Sequence, residues 1–213
     1  MKQVLFKTEM VQAILDGRKT QTRRIIKPQP EITNNWYSWN GHWPNSEHGA
    51  CGCNVLDGFS DAMAWRAPFG KVGDHLWVRE TWGVIRAFDD LSPSIIHHDT
   101  IVGYKTDPTD KWYQTGFSGD AGKWRSSIHM PRWASRITLK ITSIKIQYVQ
   151  EITTADAKAE GVKESFVMPD HVVSMGYVHA FRELWDSINS DRGFGWDKNP
   201  WVWVIEFEAK VKP

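Results

Sequence analysis

The chain has 213 residues, the length of one globular domain or of one domain that carries large insertions. Its 26 Lys and Arg residues and 25 Asp and Glu residues leave a net charge of +1, which excludes a uniformly basic nucleic-acid-binding protein and means that any basic site must be local. Hydrophobic residues make up 41% of the chain, enough for a core, and the 13 Trp residues predict either an aromatic core or exposed stacking surfaces.

The first apolar run, residues 4–6, is too short for a secretory leader, and no later stretch is long and apolar enough to predict a membrane span. The two cysteines, Cys51 and Cys53, form no disulfide framework. We therefore expect a cytoplasmic protein with no membrane partner.

The first predicted elements are a strand over residues 3–6 and a helix that begins at Glu9. Thr8 is expected to cap this helix, apolar residues recur on one of its faces, and Gly17 is expected to end it.

Residues 18–27 follow with five cations and no acid, the strongest charge bias in the chain. A Thr hydroxyl becomes a nucleophile when a nearby amine acts as its base, and neighbouring cations lower the pKa of such an amine. Lys19 is surrounded in sequence by Arg18, Arg23 and Arg24, and Thr22 is close to it. In an extended segment Lys19 would face away from Thr22 unless a turn redirects it. The alternative interpretation is a solvated basic strand.

Residues 31–68 and 84–127 lack a hydrophobic period and are predicted as two ordered but irregular insertions. Between the insertions, the pattern predicts a turn at Gly73 and Asp74 that leads into a strand. After them it predicts a strand over 136–148 with a bulge near Ser143, and a helix over 155–160 that is capped by Thr153 or Thr154 and ended by Gly161. A helix over about 173–189 and a strand over 201–207 follow. Many strands with few helices predict a small mixed β-barrel in an α+β protein.

Three segments, "ILDGRKTQTRR", "GDHLWVRETW" and "ITTADAKAEG", resemble the ASCH domain family, and the chain as a whole is most similar to the longer branch of that family found in phages and prophages. The resemblance implies a PUA-like mixed β-barrel with flanking helices, formed by a single domain over residues 1–213. The compact form of the domain corresponds to about residues 4–27, 69–82, 136–163 and 181–207, with the two insertions added to it.

Small bacterial members of this family are N(4)-acetylcytidine amidohydrolases, and the resemblance implies that Lys19, Thr22 and Glu160 form the corresponding catalytic set. Thr22 would attack the acetyl carbonyl, Lys19 would remove its proton, and Glu160 would protonate the leaving amine. Arg24 or Arg18 could stabilise the oxyanion.

RNA binding, with or without ribonuclease activity, is the alternative function, because PUA-like barrels bind RNA and cations beside exposed Trp suit backbone contacts and base stacking. Lys19, Arg23, Arg24 and Arg79 would then contact phosphates. The expected partner is accordingly a nucleoside or an RNA, and the oligomeric state is left open.

Two further groups are candidates for ligand contact. Residues 125–136 match a segment typical of the phage branch, in which His129 and Arg132 either touch a ligand or flank a strand that starts at Pro131. Arg79 and Glu80 form either an ion pair at the border of the pocket or the polar face of a strand.

Four potential zinc ligands, His42, His48, Cys51 and Cys53, lie within twelve residues, but their spacing matches no common zinc motif. The pair His97 and His98 is a weaker candidate. We therefore predict neither a metal nor another cofactor.

Overall fold

The computed structural model describes residues 1–33, 36–38, 67–107, 121–164 and 176–212. The strands in these ranges are β1 (Lys2–Leu5), β2 (Gln21–Ile25), β3 (Glu31–Thr33), β4 (Trp36–Ser38), β5 (His75–Arg79), β6 (Trp82–Gly83), β7 (Gly103–Tyr104), β8 (Ile137–Tyr148) and β9 (Trp201–Val211). The α-helices are α1 (Thr8–Leu15), α2 (Thr154–Ala159) and α3 (Tyr177–Asn189).

A five-stranded sheet has the strand order β1-β5-β8-β9-β2. Strand β1 runs parallel to β5, β5 is antiparallel to β8, and β2 is antiparallel to β9. Two small antiparallel sheets, β3 with β4 and β6 with β7, complete the described strands. A mixed sheet with helices that do not alternate regularly with its strands confirms the predicted α+β class.

The chain folds into two compact units. Unit I comprises the described residues of 1–17, 75–140 and 209–212, and unit II comprises those of 18–74 and 141–208. None of the helices in the described part of the chain has both the length and the apolar character that a bilayer span requires.

The hydrophobic core of unit II lies where α2 and α3 cover β9. Phe181 and Trp185 of α3 pack with Val202 and Val204 of β9, and Ala157 of α2 joins the same cluster. Residues four apart on a helix share a face, so one apolar stripe of α3 is enough to bury this side of the strand. The cluster therefore fixes α2, which carries Glu160 at its end, against the sheet.

Unit I has a second core, built around Trp82, Val84 and Met130, which are fully buried. Trp133 packs edge to face on Trp82, with 6.2 Å between the ring centroids. Ile96, within the second predicted insertion, also belongs to this cluster. The described residues of that insertion thus supply part of a hydrophobic core.

The beginning of helix α1 differs from the prediction. Thr8 is the first helical residue and not the cap, because Lys7 occupies the capping position and makes no capping bond through its side chain. The predicted end is confirmed: Gly17 has a φ of +72° and donates from its backbone to Ile14 O at 3.0 Å.

Helix α2 begins as the sequence predicts, with Thr153 as the cap. The Asp156 backbone N–H donates to Thr153 Oγ1 at 3.1 Å, and Thr153 N donates in return to Asp156 Oδ2 at 3.0 Å. These two bonds form a capping box. Gly161, with a φ of +81°, follows the helix and lets the chain turn away.

Strands β8 and β9 are long. The buried positions of β8 change phase between Ile141 and Ile146, at the predicted irregularity near Ser143. Strand β9 continues to Val211, beyond the predicted end at residue 207, although its last residues are exposed. Backbone pairing explains the extension, because Lys212 N still donates to Arg136 O at 2.8 Å.

Candidate active site

The basic segment that precedes β2 is joined by its backbone to the end of α2. Lys19 and Glu160 form an isolated antiparallel bridge, and Thr20 N donates to Ala159 O at 2.8 Å. On the other side, Phe207 N donates to Thr20 O at 2.9 Å. The segment is thus hydrogen-bonded to both α2 and β9, and residues 141 positions apart in the chain become neighbours.

Lys19 is buried, with 3% of its surface exposed, and its ammonium group is surrounded by acceptors. Lys19 Nζ donates to Glu160 Oε2, to Glu160 O and to Gln21 O, each at 2.8 Å. Three acceptors match the three N–H bonds of a lysine ammonium. The geometry therefore satisfies the charged form of Lys19 completely.

Burial nevertheless lowers the pKa of Lys19, because the charged form loses its hydration. Glu160 acts in the opposite direction through its charge and its hydrogen bond, while the positive charges of Arg24 and Arg23 lower the pKa further. The net direction is downward, so the proton of Lys19 is easier to remove than that of an exposed lysine.

Glu160 is 4% exposed and contacts a second cation. Its Oε1 accepts from Arg23 Nη1 at 3.4 Å, while Oε2 accepts from Lys19. The carboxylate lies at the C-terminal end of α2, where the helix dipole disfavours a negative charge. Two cations compensate for this position.

Arg23 belongs to a polar network that the sequence analysis missed. Its Nη1 donates to Gln21 Oε1, and its Nη2 contacts Gln147 Oε1 and Asp156 Oδ2, both at 3.3 Å. Gln21 Nε2 in turn donates to Asp156 Oδ1 at 3.1 Å. Two spacings could have indicated this group: Gln21 and Arg23 share a strand face, and Asp156 and Glu160 are four apart on a helix.

The pKa of Asp156 is lowered. Burial by itself would raise it, but hydrogen bonds from Thr153 and Gln21 and the charge of Arg23 outweigh this effect. Asp156 is therefore an ionised partner for Arg23 at neutral pH.

Thr22 lies in β2 opposite Ile205 and is 4% exposed. Strand alternation places its side chain on the face opposite to those of Gln21 and Arg23. The Gln21 carbonyl that accepts from Lys19 Nζ belongs to the peptide joining Gln21 to Thr22. The ammonium group is thus next to the backbone of Thr22.

The two other predicted cations of this segment also lie in unit II. Arg18 Nη1 donates to Gly161 O at 2.9 Å, directly after Glu160. Burial lowers the pKa of the half-buried Arg24, Glu160 opposes this effect, and the nearby charge of Arg192 adds to it. Arg24 is thus electrostatically coupled to Glu160.

Arg79 and Glu80 lie in unit I and have separate partners. Arg79 Nη1 donates to Ile128 O at 2.9 Å, and its guanidinium is 4.9 Å from the centroid of the Trp77 ring. Glu80 is 2% exposed and forms a bidentate ion pair with Arg136 at 3.1 Å, a partner that the sequence analysis did not identify.

The segment that contains His129 and Arg132 forms 3₁₀ turns, and strand β8 begins only at residue 137, so the expectation that Pro131 starts a strand is wrong. A 3₁₀ turn over Arg132–Ala134 separates Pro131 from the strand. Both His129 and Arg132 are exposed, and Arg132 Nη2 contacts Met1 Sδ at 2.9 Å.

The weak metal candidates His42, His48, Cys51 and Cys53 lie outside the described residues. Among the described residues, His97, His98 and Asp99 group their potential ligand atoms within 4.8 Å of one another. All three are exposed, and both His side chains already contact Asp99, at 3.3 Å.

None of the protein-family models, curated proteins or solved structures compared with the chain matches it. Its function has therefore to be inferred from its own residues.

Proposed function

We propose that this protein is an ASCH-type amidohydrolase that removes the acyl group from an acylated pyrimidine nucleoside such as N(4)-acetylcytidine. The observation that carries the proposal is the buried hydrogen bond of 2.8 Å between Lys19 Nζ and Glu160 Oε2. An amine and a carboxylate held at this distance can pass a proton between them, as general acid and base catalysis requires. The resemblance of their two segments to the ASCH family supports the same choice.

In the proposed reaction Thr22 Oγ1 attacks the acetyl carbonyl carbon, and neutral Lys19 accepts the hydroxyl proton. The tetrahedral intermediate then breaks its bond to the cytosine amine, which receives a proton from Glu160. Glu160 obtains that proton from Lys19 through their hydrogen bond. Water hydrolyses the acyl ester on Thr22 to acetate, so one amide and one water give one amine and one acid.

Two features of the site support these roles. Burial lowers the pKa of Lys19, which increases the neutral fraction that a base needs. Lys19 Nζ also lies 2.8 Å from the carbonyl oxygen of the peptide that joins Gln21 to Thr22. Base and nucleophile would meet if substrate binding turned the Thr22 hydroxyl towards Lys19 Nζ and it replaced this acceptor.

The surrounding positive charge suits the oxyanion of the intermediate. Arg24 is coupled to Glu160, and Arg18 is fixed on the carbonyl after it. Either guanidinium could stabilise negative charge on the acetyl oxygen, since such charge-assisted bonds are strong in a site with little water.

The test is to incubate the purified protein with N(4)-acetylcytidine and to follow the appearance of cytidine by chromatography. Three variants remove one function each: Lys19→Arg keeps the charge but cannot act as a base at neutral pH, Thr22→Val removes the nucleophile with little change of volume, and Glu160→Gln removes the acid. Each is expected to reduce kcat/KM at least about 100-fold.

Thr20→Val is the matched control for Thr22→Val. Thr20 is in the same segment but exposed, and the bonds that fix it use its backbone. It should retain wild-type turnover. Absence of turnover by the wild-type protein, or wild-type rates in Thr22→Val and Lys19→Arg, would overturn the proposal.

The burial of two predicted phosphate contacts supports a small substrate over an RNA strand. The side chain of Arg23 has no exposed surface and that of Lys19 is 2% exposed, whereas phosphate contacts need accessible cations. RNA binding stays a testable alternative. It predicts affinity for single strands that falls steeply with salt and that is weakened by Arg79→Met.

A further inference from the structure

Glu160 shares its charge between two cations, one on each carboxylate oxygen. Lys19 Nζ is bound to Oε2 at 2.8 Å, and Arg23 Nη1 is near Oε1 at 3.4 Å. The two cations differ in one chemical respect: a lysine amine can lose its proton in a protein, and a guanidinium cannot. The mobile proton of this group therefore belongs to Lys19.

Arg23 is held in place by several elements of unit II. Gln21 on β2 and Gln147 on β8 accept from its guanidinium, Asp156 on α2 forms an ion pair with it, and the ring of Phe181 on α3 is 5.8 Å away. Gln21 also donates to Asp156, so two of these partners are bound to each other. A planar guanidinium with fixed partners cannot follow Glu160 if that carboxylate moves, so it fixes the direction in which Oε1 points.

The formal charges of the four side chains joined by direct ion pairs balance. Lys19 and Arg23 contribute two positive charges, and Glu160 and Asp156 contribute two negative charges. Without Arg23, the charge of Glu160 would act on Lys19 alone, and Asp156 would add a second uncompensated negative charge nearby. Both effects would hold the proton of Lys19 more strongly.

We propose that Arg23 is a positioning residue that binds Oε1 of Glu160 and thereby aims Oε2 at the ammonium group of Lys19. Its catalytic consequence rests on the proposed function, since it adjusts the base of that reaction. The effect of Arg23 on the titration of Lys19 does not depend on the proposed function.

The other groups that act on Lys19 define what the experiment must hold constant. Besides Glu160 and Arg23, the charge of Arg24 lowers the pKa of Lys19, and Arg192 in turn faces Arg24. The partners supplied by β8 and α3, Gln147 and Phe181, are uncharged. Substitution of Arg23 therefore changes one charge in a defined set.

The experiment is an NMR titration of the Lys19 amine in full-length protein with isotope-labelled lysine, with the signal assigned by its loss in Lys19→Arg. Arg23→Met should raise the titration midpoint of Lys19 by about one pH unit. Arg23→Lys keeps the charge and should restore most of the wild-type midpoint. Lys158→Met, which removes one cation from an exposed position of α2, is the matched control and should leave the midpoint unchanged.

Arg23→Met leaves Asp156 without its cation, so the charge-balanced double variant Arg23→Met/Asp156→Asn serves if the single variant does not fold. It should also raise the midpoint, by a smaller amount. An unchanged Lys19 midpoint in whichever of these variants folds would overturn the proposal.

Kinetics distinguish this proposal from the proposed function. If wild-type protein hydrolyses N(4)-acetylcytidine, the acid limb of its pH profile for kcat/KM should move to higher pH in Arg23→Met and return in Arg23→Lys. A shifted Lys19 midpoint without any hydrolysis by the wild-type protein would support the role of Arg23 and reject the amidohydrolase. Hydrolysis whose acid limb lies at the same pH in the wild type and in Arg23→Met would support the amidohydrolase and reject the role of Arg23.

Discussion

Two buried ion-pair networks, one in each unit, are built around different cations. In unit I the central cation is Arg136, which binds Glu80 through two hydrogen bonds of 3.1 Å. In unit II it is Lys19, which binds Glu160 at 2.8 Å. Both pairs connect segments distant in sequence, but only the second has a cation that can lose its proton.

In the unit I network, the guanidinium of Arg136 is surrounded by hydrogen-bond acceptors. Besides Glu80, Arg136 donates to Asp107 Oδ1 at 2.6 Å and to Thr106 Oγ1 at 2.7 Å, and its guanidinium lies 3.9 Å from the ring centroid of Tyr104. Burial alone would lower the pKa of Arg136, but the hydrogen bonds and charges of Glu80 and Asp107 raise it. The proton is held permanently, so this network is suited to structure.

In the unit II network, the surroundings of Lys19 favour the release of its proton. Burial and the charges of Arg24 and Arg23 together lower the pKa of Lys19, against the effect of Glu160. A buried pair is thus not by itself a sign of function. What distinguishes the two networks is whether the neighbours hold the proton or favour its release.

The largest effect is expected from Arg136→Met. The substitution leaves two carboxylates, Glu80 and Asp107, in the interior without their cation. We expect a loss of about 3–5 kcal/mol in the free energy of unfolding, measured by urea denaturation at pH 7. Arg132→Met, at an exposed arginine of the same segment, should change it by less than about 0.5 kcal/mol. A loss below about 1 kcal/mol for Arg136→Met would contradict a structural role.

Glu160→Gln should lower the free energy of unfolding by less, about 2 kcal/mol at pH 7. The loss is smaller because Lys19 can release its proton when its partner is removed. This loss should also decline as the pH rises to 9.5. Without Glu160 the pKa of Lys19 falls further below the value in the unfolded chain. At a pH between these two values, Lys19 is protonated in the unfolded chain and neutral in the folded variant. The free energy of unfolding of the variant therefore increases as the pH rises.

Glu80→Gln is the matched comparison for Glu160→Gln, since its partner Arg136 has no neutral form to adopt. The cost of Glu80→Gln should be the same at pH 7 and at pH 9.5. Equal pH dependence in the two variants, measured by urea denaturation, would remove the distinction between the networks.

Thr153→Ala should cost about 1 kcal/mol, because it removes the cap of the helix that carries Glu160. Thr154→Ala, one residue later and exposed, is the control and should be nearly neutral. The pKa of Asp156 is lowered partly by its bonds to Thr153, so those bonds stabilise the wild type above the unfolded pKa and weaken as acid protonates Asp156. The cost should therefore be smaller at pH 3 than at pH 7. A cost that grows in acid would contradict the assigned contacts.

Tyr104→Phe tests the edge of the unit I network with the smallest expected effect. It removes the bond from the Tyr104 hydroxyl to Ala134 O, 2.7 Å long, and should cost somewhat under 1 kcal/mol at pH 8. Burial raises the pKa of Tyr104 to about 12, with Arg136 opposing and with Glu80 and Asp107 adding to the effect. The contribution of the hydroxyl is full below the unfolded value of about 10 and is lost as the pH rises towards 12.

The measurement is the difference in unfolding free energy between wild type and Tyr104→Phe at pH 8 and at pH 10.5. The difference should be smaller at the higher pH. A difference that increases with pH would mean that Tyr104 ionises more easily in the folded state.

Local features of the fold could be predicted because short stretches of sequence determine them. Thr153 followed three residues later by Asp156 specifies the start of α2, and Gly17 and Gly161 specify helix ends that need positive φ. Strand β9 is longer than its apolar pattern because backbone pairing extends it past residue 207. Hydrogen bonds between backbones do not depend on the side chains that a pattern records.

In the candidate site, too, the sequence predicted some residues, and only the tertiary structure showed their partners. The sequence indicated Lys19 and Glu160 by residue type and resemblance, and five cations without an acid marked their surroundings. It did not indicate that Gln147 and Asp156 would join Gln21 and Arg23, since Gln147 is 124 positions from Arg23 and Asp156 is 135 positions from Gln21. Such partners meet only when α2 and β8 are placed against β2.

By itself, the sequence determined that a small α+β protein of nearly neutral net charge keeps a strongly basic segment at residues 18–27. The tertiary structure decided which of those charges are buried and against which carboxylates. Burial removes hydration from Lys19 and lowers its pKa, and this desolvation depends on the packing of distant segments. A local pattern supplies the amine, and only the folded environment makes its proton available.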